Sequence, residues 1–198
     1  MSVSVHPTAA RLIQTTSEML DGSNPQHIRI DDVLAVSGVA KGSLYHHFGD
    51  FPALLEATLV YRFGKFVDET IAIMDNYARA PASKEEFWER MHEVTLLTQD
   101  PERAHRRAER ARAIGMAASS ERFSKALAVE QDRLTETLAT LVRDSQAKGW
   151  VNSALDPMAI AVFLQAYTLG RAVDDIASTP VDPEAWNSLI RAVVAPLS

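Results

Sequence analysis

The sequence predicts an all-α fold, a small N-terminal unit of three helices followed by a larger helical bundle. Three observations lead there. Apolar residues recur at three- and four-residue spacing along nearly the whole chain, as in Ala9, Leu12, Ile13, Thr16, Met19 and Leu20. Helix-start signals recur as well. Ser83-Lys84-Glu85-Glu86 has the form of a capping box, and aspartate precedes proline at 156–157 and 182–183, a cap followed by a first-turn proline. No segment shows the strict polar–apolar alternation of a half-buried strand.

The first helix is expected over 8–20, stopped by Asp21-Gly22-Ser23-Asn24-Pro25. In 30–48, IDDVLAVSGVAKGSLYHHF, two short helices meet at a glycine. Asp31 and Asp32 open the first, where negative charge complements the helix dipole. Val33, Leu34 and Ser37 make its buried edge. Gly38 can take the left-handed conformation that ends a helix, and Val39 plugs the angle. Lys41 begins the second helix, whose Leu44 and Phe48 point inward four residues apart.

A long helix follows over 50–78, with Leu54, Leu55, Thr58, Leu59, Phe66, Val67, Ile71 and Met74 on one stripe. Ala80-Pro81-Ala82-Ser83 ends it. Further helices are expected over 84–98, stopped by Asp100-Pro101, then over 101–118 and 121–148, the last closed by Gly149. Two more cover 156–178 and the stretch from 182 onward.

The second helix of the glycine-turn pair leaves Lys41, Gly42, Ser43, Tyr45, His46 and His47 facing outward. A lysine, a glycine, a hydroxyl, a phenol and two imidazoles form a coherent set for phosphate and base-edge contacts, so the pair reads as a helix-turn-helix with its recognition surface in place. Tyr45 is expected to donate its hydroxyl to a phosphate, Lys41 and His46 to reach base edges, and His47 to meet phosphate. Arg29 is either a further phosphate contact or a solvated surface arginine.

SGVAKGSLYHHF resembles the recognition-helix signature of the TetR family of transcriptional repressors. That signature runs as a small residue, Gly-Val, Ser or Ala, two variable positions, Thr/Ser-Leu-Tyr, two variable positions and Phe. The strong match covers about the first 60 residues, and AKGWVNSALDPMAIAVFLQAYTLG is similar to the family's run through its last long helices. The resemblance implies a helix-turn-helix DNA-binding domain in 1–52 and a helical ligand-binding and dimerisation domain in 53–198. It further implies a homodimer on a palindromic double-stranded DNA operator, released by a small-molecule effector, with no cofactor and no membrane partner. Two departures stand out. Leu34 occupies a position usually held by alanine, and Gly49, Asp50 and Phe51 stand where basic residues usually grip phosphate.

Charge bears on how such a protein would bind. Residues 1–50 hold three basic side chains (Arg11, Arg29, Lys41) against five acids, a formal balance of −2 where a DNA-binding surface is normally basic. His6, His27, His46 and His47 can add charge near a phosphate. Weak nonspecific binding that leans on base contacts is the expected result. The whole chain has a formal net charge of −6, which opposes indiscriminate coating of nucleic acid or acidic lipid. It has no cysteine, so disulfides, thiolate catalysis and cysteine metal sites are excluded. No apolar run is long enough for a membrane span, and the N-terminus lacks a signal-peptide pattern, so a cytoplasmic protein is expected.

The C-terminal two-thirds carry two candidate surfaces. Phe163, Ala166, Tyr167, Gly170, Val173 and Ile176 line one side of the penultimate helix; Trp186, Leu189, Ile190, Val193, Val194 and Leu197 line the last. Two antiparallel amphipathic helices suit a four-helix interface between copies, or burial in their own domain. Helical periodicity also makes Trp88, Met91, His92, Thr95, Met116, Phe123, Phe163 and Tyr167 candidates for a ligand pocket, with plain core as the alternative. The basic run Arg103, His105, Arg106, Arg107, Arg110 and Arg112 could bind an anionic ligand or touch DNA flanks, but reads first as a solvated face, since Glu102 and Glu109 interleave. Arginines there could also form inter-domain ion pairs. Two Glu-x-x-His pairs, Glu89/His92 and Glu102/His105, raise a di-iron bundle as a rival reading. A ligand-binding dimer that has lost DNA binding is another. No metal site, serine elbow, phosphate loop or dinucleotide fingerprint is expected.

Overall fold

The computed structural model describes residues 6–21, 25–78 and 81–197. Gly22, Ser23, Asn24 and Ala80, which the sequence assigns to loop breaks, lie outside them. Among the described residues the fold is all-α and contains no strand.

Helix α1 (Pro7–Leu20) begins with Pro7 in its first turn, and the His6 ring accepts from the Thr8 N–H at 3.3 Å. A 3-10 turn at Pro25–His27 leads to α2 (Ile30–Ser37) and α3 (Lys41–Phe48). Gly38 separates them at φ 65°, a left-handed conformation that costs a glycine little. Leu12, Ile28, Val33, Leu44 and Leu54 form the buried core of this unit. Leu34 is half-buried against that core, so the larger side chain is accommodated at the packing margin.

Helix α4 (Phe51–Ala78) belongs to both parts of the molecule. Its first turns close the N-terminal core through Phe51, Leu54 and Leu55. Its middle supplies Leu59, Phe63 and Val67 to a second core built with α6 (Ala104–Ala117), α7 (Glu121–Ala147) and α8 (Pro157–Gly170). A third cluster joins Phe87 of α5 (Lys84–Gln99) to Val142, Val151 and Ile160.

Three helix starts carry the caps the sequence predicts. The Ser83 hydroxyl accepts from Glu86 N–H at 3.2 Å while the Glu86 carboxylate accepts from Ala82 N–H at 2.7 Å. The carboxylate of Asp156 accepts from Ala159 N–H at 2.8 Å. That of Asp182 caps α10 (Pro183–Val194), accepting from Ala185 N–H at 2.9 Å.

Two boundaries differ from expectation. The helix predicted over 156–178 ends as α8 at Gly170 and resumes as the single turn α9 (Ala172–Asp175). Arg171 at the break is buried, and its carbonyl accepts from both Asp174 and Asp175 N–H, which tightens the turn. The last helix ends at Val194, and Ala195–Leu197 continues as a 3-10 turn whose Leu197 carbonyl accepts from Asn152 N–H at 2.7 Å. Leu197 therefore packs inward against the Phe87 cluster instead of extending an outer apolar face.

Candidate functional site

Helix α3 is held by one fully buried residue, Leu44, with Phe48 half-buried one turn on. That anchoring turns Lys41, Gly42, Tyr45 and His46 out to solvent, with Ser43 and His47 half-exposed at the edges. Tyr45 is unusually open for its size, at 45% exposure. Arg29 is the exposed cap position of α2 and makes no side-chain capping bond.

The structure adds two groups to this face. The Arg11 guanidinium lies beside the glycine turn, where a Cβ on Gly38 would sit 3.7 Å from its Nη2. The His6 ring is 4.8 Å from that of His47, which is 5.1 Å from His46. Burial, then the neighbouring His6 and His46, hold the His47 pKa below its ordinary value. Asp50, at a position where a cation would be expected to grip phosphate, caps α4 instead, accepting from Ala53 N–H at 2.6 Å. The α7 residue Arg122 lies 3.8 Å from Asp50 and donates to Glu56 at 2.6 Å, bringing a cation near that corner.

The second site is a cavity of about 640 Å³ in the C-terminal bundle, bounded by α4, α5, α6, α7, α8 and α10. Trp88, Met91, His92, Thr95 and Tyr167 line it. The Thr95 and Tyr167 hydroxyls are 3.3 Å apart, and burial raises the Tyr167 pKa. Burial, then Arg191, lowers that of His92.

Three expected lining residues are elsewhere. Phe123 is in the first turn of α7, whose cap Ser120 donates to Glu56 of α4 at 2.8 Å, and this places the ring in the core between α4 and α7. Met116 packs against that core. Phe163 faces outward at 38% exposure, its ring 5.7 Å from Tyr167.

The arginines of α6 correct the sequence reading most. Arg107 and Arg110 are buried and, with Arg103 and Arg106, line the cavity. Arg107 makes a two-pronged pair with Asp175, both contacts at 2.7 Å, and also donates to the Thr98 and Asp100 carbonyls. Arg106 pairs with Glu69. A polar link between the two cores runs through Arg62 of α4, which donates to the Ser17 carbonyl at 2.7 Å, to Asp21 at 2.6 Å and to Glu109 of α6.

The two Glu-x-x-His pairs do not converge. His105 is exposed and bonds to the Glu102 carbonyl, while His92 faces the cavity. Among the described residues no group of three or more histidine or carboxylate side chains is arranged to hold a metal ion. Nor is any helix there long and apolar enough to cross a membrane.

The candidate dimer residues divide between two environments. Phe163, Ala166, Gly170, Val173, Leu189 and Val193 are exposed, as is Ile176, which reaches 86%. Ile190 is buried and lines the cavity. Trp186 is half-buried, its indole donating to Gln99 at 3.0 Å beneath the Arg171 guanidinium. One face of α10 looks inward, which is why these two leave the outer stripe.

No family model matches the chain, and no curated protein sequence matches it. Solved structures do. A transcriptional regulator of the TetR/AcrR family from Thermobifida fusca YX-ER1 aligns over 96% of this chain and 97% of its own, at 15% identity and TM-score 0.65. A proposed TetR-family regulator from Rhodococcus sp. aligns over 97% and 99%, at 21% identity and TM-score 0.64. A proposed transcriptional regulator from Saccharomonospora viridis in complex with choline aligns over 94% and 95%, at 16% identity and TM-score 0.66. The chain thus has the fold of TetR/AcrR regulators over 96–97% of its length.

Proposed function

We propose that this protein is a TetR-type transcriptional regulator, a homodimer that binds a palindromic operator through α3 and is released when a small molecule occupies the cavity. The observation that carries this reading is the outward set Lys41, Tyr45 and His46 on a helix fixed by buried Leu44, in a chain that also encloses a cavity. The fold likeness supports it. The division near residue 52 follows the same reading, with α4 as the element shared by the DNA-binding and effector domains. Dimerisation is supported by the exposed apolar stripe on α8 and α10. A Cβ at Gly170 meets nothing within 4 Å, so the monomer's own packing does not require a glycine there.

The mechanism is a population shift: an effector that binds better to one arrangement of α6 changes the spacing of the two recognition helices. The test is a mobility shift on the DNA upstream of the protein's own gene, followed by selection from random DNA. Lys41→Ala and Tyr45→Phe should each weaken operator binding about tenfold, the loss of one base or phosphate contact of 1–3 kcal/mol. Unchanged affinity in both variants, or no selected sequence at all, would leave a ligand-binding dimer as the surviving function.

A further inference from the structure

The arginines of α6 are treated unequally. Arg106 has Glu69 and Arg107 has Asp175 as carboxylate partners. Arg110, one turn after Arg107, has none. It is only 6% exposed, its Nε has no hydrogen-bond partner, and among the described residues no carboxylate pairs with it. Its guanidinium stacks on Phe66, 4.3 Å from the ring centroid, which partly offsets desolvation but supplies no counter-charge. Burial lowers its pKa to about 10, so it stays charged at neutral pH. A buried cation without a counter-ion is costly, and folded proteins ordinarily supply the missing charge. Arg110 borders two cavities, and in the smaller one, of about 420 Å³, the carboxylates Asp21, Glu69 and Glu109 already pair with Arg62 and Arg106, which leaves the larger cavity as the place for its counter-ion.

The rest of that cavity narrows the choice of ligand. Arg103 and Arg191 also line it without an ion pair in the described residues, whereas its acidic lining is confined to Glu85 and Glu89. Away from α6 the wall is mainly apolar, with Trp88, Leu138, Ile160 and Leu164 among its surfaces. A volume of about 640 Å³ suits a single small molecule. The planar guanidinium fork matches a carboxylate two-to-two, and one such group on an apolar body satisfies both halves of the site.

We infer that the cavity takes an amphipathic carboxylate whose acid group pairs with Arg110 and whose apolar body lies along Trp88 and Leu164. This deepens the effector-site reading above and rests on it for its regulatory meaning, although binding can be measured on the protein alone.

The experiment is calorimetric titration of the full chain, without DNA, with matched pairs below their micelle concentrations. The pairs are decanoate against decanol and naphthoate against naphthalenemethanol, with decyltrimethylammonium as the cation. In at least one pair the acid should bind about tenfold tighter than its alcohol, the value of one charge-assisted bond, and the ammonium should not bind. Arg110→Met should bring acid and alcohol to within about threefold of each other. Equal affinity of acid and alcohol in both pairs, preference for the ammonium, or no binding by any probe would overturn the assignment. So would an Arg110→Met protein that keeps the full preference. If that variant fails to fold, the acid–alcohol comparison in the unmodified protein decides alone. A chain that distinguishes acid from alcohol but binds no DNA would lose the regulator reading and keep this one.

Discussion

His6, His46 and His47 set three imidazoles against one another at the margin of α3. His47 is the one whose protonation is opposed, by burial first and by its two neighbours next. As pH falls through the ordinary histidine value near about 6.5, the unfolded chain takes up a proton that folded His47 resists. On its own, then, His47 lowers stability in mild acid. A DNA phosphate reverses the sign at the site, because a nearby anion favours the charged ring. Operator binding should therefore take up a proton and tighten between about pH 8 and 6, and His47→Ala should flatten the profile. Mobility shifts across that range check it; a pH-independent dissociation constant would place His47 away from the phosphates. Residues of this face were legible because each follows from its distance to Leu44 within one short helix. Arg107 and Arg110 were not. Glu102 and Glu109 alternate with them as on a solvated surface, and the partner of Arg107 is 68 residues away at Asp175.

Among the elements, α4 and α6 carry the connection between the two sites. Arg62 ties the end of α1 to α6 by donating to Ser17, Asp21 and Glu109. Glu109 is the immediate neighbour of Arg110, so a ligand that draws on Arg110 acts on the same turn that grips Arg62. Glu109→Gln keeps the shape of this turn and removes its charge. It should leave effector binding to the isolated protein unchanged and reduce the effector's ability to weaken operator binding by about 0.5–2 kcal/mol. Measuring operator affinity with and without effector, in both proteins, gives the coupling directly. Equal coupling would assign the link to other contacts of α4. Helix starts were readable at this scale because Asp156, Asp182 and Ser83 announce themselves by local chemistry. The break at Arg171 was hidden, since 157–176 is uniformly apolar on one side. The turn there places Asp175 against Arg107, a tertiary requirement with no local signature.

For the whole molecule, the apolar surface left open by the fold is concentrated on α8, α9 and α10. Val173 is 77% exposed, Leu189 54% and Val193 46%, while Ile190 on the same helix is buried against the cavity. A second copy related by a two-fold axis would cover this stripe with the equivalent stripe of its own. A stable interface of this kind buries about 1,200–2,000 Å² in total. Two recognition helices held by such a dimer must reach successive major grooves, about 34–36 Å apart. Leu189→Arg sets a charge on each side of the two-fold and leaves the monomer core untouched. Sedimentation at micromolar concentration should then find a monomer with unchanged helix content, and operator affinity should fall far more than it does for Lys41→Ala, because each monomer grips one half-site. Ile190→Arg separates this from general damage, since it buries a charge in the cavity wall and should lower the melting temperature instead. A Leu189→Arg protein that sediments as a dimer would move the interface off the α8–α10 stripe and leave that apolar surface unexplained.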